Sequence, residues 1–183
     1  MPVEVITPRY QVPEVLRDLW LIDMLELNGS TLAAARSLNL SQPTVSRRYR
    51  AVAQELGLNR SRSQEPGCRF GNSDCLRLLR KGANLHRWQS GVVRVGALSD
   101  HMQAQTAPTW IQWIELSSIP RNHWKNLFRH ELLDAVALPI GEDLDTFVQA
   151  LNLNMSATAI SGLQLLYRRH PRIEQLLKPH QNQ

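Results

Sequence analysis

Between Ser41 and Arg50 the chain reads Ser-Gln-Pro-Thr-Val-Ser-Arg-Arg-Tyr-Arg, a run dominated by hydroxyls, one amide and three guanidiniums. Such groups suit recognition better than bond breaking. An amide or guanidinium can make paired hydrogen bonds to the edge of a base, and a guanidinium or hydroxyl can hold a phosphate oxygen. The surrounding charge points the same way. Twelve Arg and Lys residues lie from Arg36 to Arg94 against three acids, Glu55, Glu65 and Asp74, in a chain of formal charge +5. The remainder is net acidic, so a polyanion would meet a concentrated field over this segment. On charge alone a merely solvated basic surface reads equally well.

Other chemistries find little support. Cys68 and Cys75 stand without a second cysteine pair or a histidine at ligand spacing, which reads as reduced thiols rather than a structural zinc site. His123, His130 and Glu131 match no metal spacing, and beside tryptophan on an amphipathic segment they read as packing or surface groups. The chain has no glycine-rich phosphate loop, no nucleophile elbow and no Cys-x-x-Cys pair. The expectation is therefore a protein that is not an enzyme and holds no cofactor or metal. No stretch approaches the roughly 20 apolar residues of a membrane span, and the N-terminus has no apolar leader core, so a cytoplasmic protein without a membrane partner is expected.

Recognition residues need elements that hold them rigidly. "PEVLRDLWLIDMLELNG" repeats apolar residues at helical spacing from Pro13 to a stop at Asn28 and Gly29. Ser30 and Thr31 offer a hydroxyl cap for a short helix, "LAAARSL", whose alanines allow close approach by another helix. Asn39, Leu40 and Ser41 form a turn in which Leu40 is expected to plug the corner. Ser41 then caps a helix with Pro43 in its first turn, where the missing N–H costs nothing, and Gly57 ends it. Val45, Tyr49, Val52 and Leu56 form its apolar face, leaving Gln42, Thr44, Ser46, Arg47, Arg48 and Arg50 largely outside. The segment from Asn59 to Asn72 reads as a turn or β-hairpin carrying arginines.

The register "LNGSTLAAARSLNLSQPTVSRRYRAVAQELG" resembles the winged helix-turn-helix of LysR-type transcriptional regulators. The matching positions are Gly29 and Ser30, Ala34 and Ala35, Leu38, Ser41 to Pro43, Val45 and Ser46, then Leu56 and Gly57. The resemblance implies a sequence-specific regulator that binds double-stranded DNA as a homodimer or higher oligomer. Ser41, Gln42, Pro43, Thr44, Ser46 and Arg47 would face the bases at the start of the recognition helix. Arg48 and Arg50 would meet phosphates, Ser30 and Thr31 would hold the backbone near the preceding helix, and Arg60, Arg62 and Arg69 would lie on or beside the wing. The chain departs from the family at Val52 and Ala53, where Leu-Glu is usual. It departs at Leu32, where a threonine is common, and at Arg60 to Ser63, "RSRS", where the family has a Leu-Phe-x-Arg anchor.

Three parts follow: residues 1–72 as the DNA-binding domain, 73–90 as a linker helix, and 91–183 as a small α/β domain. The linker helix carries an apolar stripe of Leu76, Leu79 and Ala83, broadened by Leu78, Leu85 and Trp88, which reads as a dimerisation surface rather than packing within its own chain. "VVRVGAL", "TWIQWIEL" and "LLDAVALPI" read as strands, with "PRNHWKNLFRHE" as an intervening helix. "DLDTFVQALNLN" and "SGLQLLYRRHPRIEQLL" read as helix or strand. The fold class is thus all-α followed by α/β, the latter resembling part of a periplasmic-binding-protein-like effector domain. One lobe fits the length and two do not. Ser99, Asp100, Ser117 and Ser118 are the only polar candidates for a small-molecule effector, which stays open. RNA polymerase or a partner regulator is a further possible partner, and the alternative function is an adaptor whose shortened lobe docks on such a regulator.

Overall fold

The computed structural model describes residues 5–6, 10–103, 108–142, 151–155 and 162–178. The expected "DLDTFVQALNLN" segment lies largely outside them, as do residues 179–183 of the tail. Two compact units emerge: Gln11–Asn84 with Ser118–Leu132, and Val5–Tyr10 with Leu85–Ser117 and Leu133–Gln183. No helix among the described residues is long and apolar enough to cross a membrane.

The first unit begins with a 3-10 turn, Glu14–Leu16, that runs into α1, Arg17–Asn28. The helical spacing of apolar residues marks α1, and every residue from Leu21 to Leu27 is buried, the polar Asp23 and Glu26 included. Gly29 ends α1 in the left-handed conformation, φ 71°, donating to Leu25 O. α2, Thr31–Ser37, and α3, Gln42–Glu55, follow.

Their corner is built by Asn39, whose φ of 53° reverses the chain while the N–H groups of Asn39 and Leu40 reach back to Arg36 O and Ala35 O. This is the paired hydrogen-bond closure of a Schellman motif, with Asn in place of Gly. It corrects the expectation for Leu40, which stays exposed because backbone bonding, not a plug, closes the corner.

Leu76 on α4, Asp74–Gln89, is fully buried with Leu19, Ile22, Val52, Ala53 and Leu58, and Ala83 packs against the same cluster. Leu76 is therefore core rather than a dimer surface, while Ala83 is half-buried at its edge. Burying a leucine stabilises the unit by about 1.5–3 kcal/mol, which outweighs holding it in reserve for a partner. Of the expected stripe, Leu79 remains exposed, with Leu78 and Leu85 beside it.

The second unit is a six-stranded mixed sheet in the order β1-β3-β2-β4-β6-β5. β1 is Val5–Ile6, β2 Val93–Ala97, β3 Ile111–Glu115, β4 Ala135–Pro139, β5 Leu153–Met155 and β6 Leu163–Arg168. The β2, β3 and β4 strands are parallel neighbours, with β2 between the other two, and the outer pairings are antiparallel. β2 and β3 are buried along their whole length, Arg94, Gln112 and Glu115 included, with Arg94 Nε donating to Gln112 Oε1 at 3.2 Å. α5, Ser99–Gln103, follows β2, and α7, Pro171–Leu177, follows β6. A 3-10 turn, Arg121–His123, leads into α6, Trp124–Arg129, which belongs to the first unit. The ambiguous "SGLQLLYRRHPRIEQLL" resolves into β6 and α7.

The chain leaves the carboxyl end of β2 for β3 on one side, then crosses from β3 to β4 on the other, and the carboxyl ends of such parallel strands are the usual place for a ligand. There Ser117 Oγ lies 2.9 Å from Ser99 Oγ and accepts from Ser99 N at 3.1 Å. These two hydroxyls are bonded to each other rather than arrayed toward a ligand. Asp100 is exposed in the first turn of α5, and Ser118 falls in the first unit.

Candidate nucleic-acid interface

Local chemistry places the amino end of α3. Ser41 is extended, and its Oγ accepts from Thr44 N at 3.3 Å and lies 2.8 Å from Thr44 Oγ1. Pro43 occupies the first turn. Val45 is fully buried one residue beyond Thr44 and anchors the turn from below. The same helical turn leaves Ser41, Gln42, Pro43 and Arg47 exposed, with Thr44 and Ser46 half-buried. Gln42 Nε2 donates to Thr31 Oγ1 at 3.2 Å, so the starts of α2 and α3 adjoin. Ser30 Oγ accepts from Ala33 N at 3.1 Å and thus caps α2. Arg50 is exposed, its Nε donating to Ser46 O at 3.3 Å.

Arg48 differs from the other cations of α3. Its Nε donates to Asp18 Oδ1 on α1 at 2.9 Å, and Nη2 reaches the same oxygen. The expected phosphate partner is already engaged by a carboxylate that the sequence pattern does not reveal, thirty residues earlier in the chain.

Residues 58–73 contain turns and no strand, so the hairpin form of the wing is absent. The physical reason lies in where the backbone donors go. Glu26, fully buried, accepts from Gly67 N at 2.7 Å, Arg69 N at 3.1 Å and Phe70 N at 2.8 Å. Donors drawn to one carboxylate cannot serve a ladder, and Ser61 N to Arg69 O, 3.0 Å, is the bond that ties the two arms. Burial pushes the Glu26 carboxyl up, against the opposing pull of these N–H groups and of Arg80.

Phe70 is the hub of the loop. Tyr49 donates to its carbonyl at 2.7 Å and meets its ring edge-on at 5.4 Å, and the Arg60 guanidinium lies 4.9 Å from the ring centroid. Arg62 is exposed. The Arg69 side chain is half-buried, and a Cβ on Gly29 would run into its Nη1. Burial lowers its pKa against the pull of Glu26. An open groove of about 470 Å³ lies between Tyr49, Ala53 and Gln54 of α3 and Leu58 to Arg60.

A pairing the sequence does not foretell brings Cys68 Sγ to 3.4 Å from His130 Nε2. Burial raises the thiol pKa and lowers that of His130, the reverse of an activated nucleophile. His123 and Glu131 do not complete a metal site, since no group of three or more His, Cys, Asp or Glu residues able to hold an ion occurs among the described residues.

No family model and no curated protein matches the chain. Solved structures to which it is similar include full-length OxyR C199D from Pseudomonas aeruginosa, at 22% identity over 72% of this chain and 52% of that one, TM-score 0.37. Another is HinK, a LysR family transcriptional regulator from Pseudomonas aeruginosa, at 18% identity over 77% and 51%, TM-score 0.31. A third is DarR of Vibrio fischeri in complex with DNA, at 18% identity over 66% and 49%, TM-score 0.27. These neighbours are LysR-family regulators, and the chain spans about half their length.

Proposed function

We propose that this chain is a sequence-specific transcriptional regulator of LysR type, working in the cytoplasm. Within residues 1–72, the part from Gln11 onward forms a DNA-binding domain in which α3 is the recognition helix and the strandless loop takes the place of the wing, while Val5–Tyr10 belongs to the sheet-bearing unit. The observation that carries the reading is the bare amino end of α3. Gln42 and Arg47 stand exposed beside a hydroxyl-capped first turn, on a helix whose opposite face is locked into the core. Such an end can enter the major groove, where an amide and a guanidinium distinguish base edges. The unbroken register from Gly29 to Gly57 supports the same assignment.

Selection of bound sequences from a random duplex pool with the purified protein tests it. A two-fold related motif is expected, and recovery of no enriched sequence at physiological salt would remove the specific reading. Within that motif, Gln42→Ala or Arg47→Ala relaxes base choice at one position by about 1–3 kcal/mol, whereas Arg50→Ala weakens all duplexes alike. Because Arg48 is held by Asp18, Arg48→Ala costs less DNA affinity than Arg50→Ala. Titrations on the selected site and on random duplex separate these outcomes.

The partner helix in the proposed dimer is a second copy of α4, residues 73–90 serving as the linker. Leu78, Gly82 and Leu85 recur at helical spacing on its exposed side, Leu79 flanks them, and a Cβ on Gly82 would meet nothing among the described residues. A glycine within a helix costs about 1 kcal/mol against alanine, a loss that close approach by another backbone would offset. Leu78→Lys with Leu85→Lys is expected to give monomers in sedimentation with helicity retained. A mass unchanged from that of a wild-type dimer would place the interface elsewhere. Residues 91–183, apart from Ser118–Leu132 of the first unit, are proposed as a single effector-like lobe.

A further inference from the structure

We infer that Glu26 is the positioning residue of the basic loop, its buried carboxylate setting where Arg60 and Arg69 present their charges. The inference rests on the DNA-binding reading and adds to it a residue that never meets DNA. Nothing apolar in Arg60 to Ser63 can pin the loop from beneath. The pin is instead polar: one carboxylate on α1 gathers the N–H groups of Gly67, Arg69 and Phe70. Main-chain donors converging in this way resemble an anion nest, with Cys68 N turned aside to Glu65 O and the acceptor supplied by the fold itself.

Each anchored residue determines the place of a cation. Phe70, fixed through its N–H by Glu26 and through its carbonyl by Tyr49, supplies the ring on which Arg60 rests. Arg69, fixed through its own N–H, holds its guanidinium against Gly29 at the junction of α1 and α2. The loop's far side is held as well. Gly67, at φ 93°, lies so close to the His130 ring that no side chain fits between them. The loop can therefore lean only as far as the carboxylate allows.

Glu26→Gln tests this, because it keeps the shape and one acceptor oxygen while replacing the second acceptor with an NH2 that can only donate. Two measurements are made on the full chain. Amide hydrogen exchange at Gly67, Arg69 and Phe70 is expected to accelerate at least tenfold while the α1 and α3 amides keep their protection. Binding to the selected duplex is expected to weaken with base preference intact. The slope of log affinity against log salt should flatten by about 1–2, since each phosphate contact contributes about 0.9. Adding Arg60→Gln and Arg69→Gln to Glu26→Gln should then weaken binding little further.

Unchanged exchange at the three amides, or accelerated exchange with an unchanged salt slope, overturns the assignment. If Glu26→Gln unfolds the protein, Glu26→Asp replaces it, with the same two readouts deciding. Failure of the wild-type chain to bind any duplex would sink the DNA-binding reading itself, a result distinguishable from wild-type binding that Glu26→Gln leaves untouched.

Discussion

Asp134→Ala is expected to destabilise the sheet-bearing unit by about 3–5 kcal/mol, a large share of the 5–15 kcal/mol that holds a typical domain folded. Asp134 is fully buried, and its Oδ2 accepts from Arg87 Nη2 and, at 2.7 Å, from Arg94 N. Arg87 is 1% exposed. Removing the carboxylate leaves a guanidinium in the interior with no counter-ion and a strand N–H with no acceptor, and neither can reach water without opening the fold. Urea unfolding of the two proteins measures the difference.

The pair also predicts a pH dependence with a definite sign. Burial alone would raise the Asp134 pKa, but the Arg87 charge, the hydrogen bonds from Arg94 N and Arg87, and the Arg94 charge together hold it below the ordinary aspartate range. A carboxyl depressed in the folded state contributes stability that is complete above its unfolded pKa and is lost as pH falls toward the folded one. Wild-type protein should therefore lose stability more steeply than Asp134→Ala below about pH 4. Parallel acid limbs for the two proteins would mean that the ion pair does not form.

Asp23→Ala should cost the first unit a similar amount, about 3–5 kcal/mol. Arg80 Nε donates to Asp23 Oδ1 at 2.7 Å with both side chains buried, and Arg80 Nη1 reaches His130 O at 3.4 Å. The damage comes from the stranded cation rather than from a lost attraction. Asp23→Leu with Arg80→Met should accordingly recover much of the loss, because neither member of the pair is then left inside without its partner. The exposed Arg77–Asp74 pair, 2.9 Å apart, serves as the control, since removing either partner costs at most about 1 kcal/mol. A cost for Asp23→Ala no larger than that of the control would show that Arg80 finds another partner or turns to solvent.

The legible parts of this protein are those whose determinants lie within one turn or one strand. Ser41 and Pro43 announce the start of α3 because a cap bonds to a donor three residues on. Gly29 announces the end of α1 because a left-handed residue closes the helix behind it. The strands β2, β3 and β4 stand out because β-branched, aromatic and small apolar residues crowd into five positions each. The same local reasoning misplaced Leu40, since the corner is closed by Asn39 and backbone bonds, and it offered to a partner Leu76, which the helices of its own unit bury.

From its composition and spacing alone, the chain determined its capped helices, its central strands, and the segment on which its cations gather. Tertiary structure decided which polar groups vanish inside, as Asp23 and Glu26 do, for their partners Arg80 and Phe70 stand 57 and 44 positions away. It also decided which arginines stay available, since Arg48 and Arg80 are claimed by carboxylates on α1. The brief strands β1 and β5 exist through their neighbours β3 and β6. The reason is common to all of these. A cap or an apolar period is satisfied by adjacent residues, whereas a buried charge or an edge strand is satisfied only by a partner that folding brings from far along the chain.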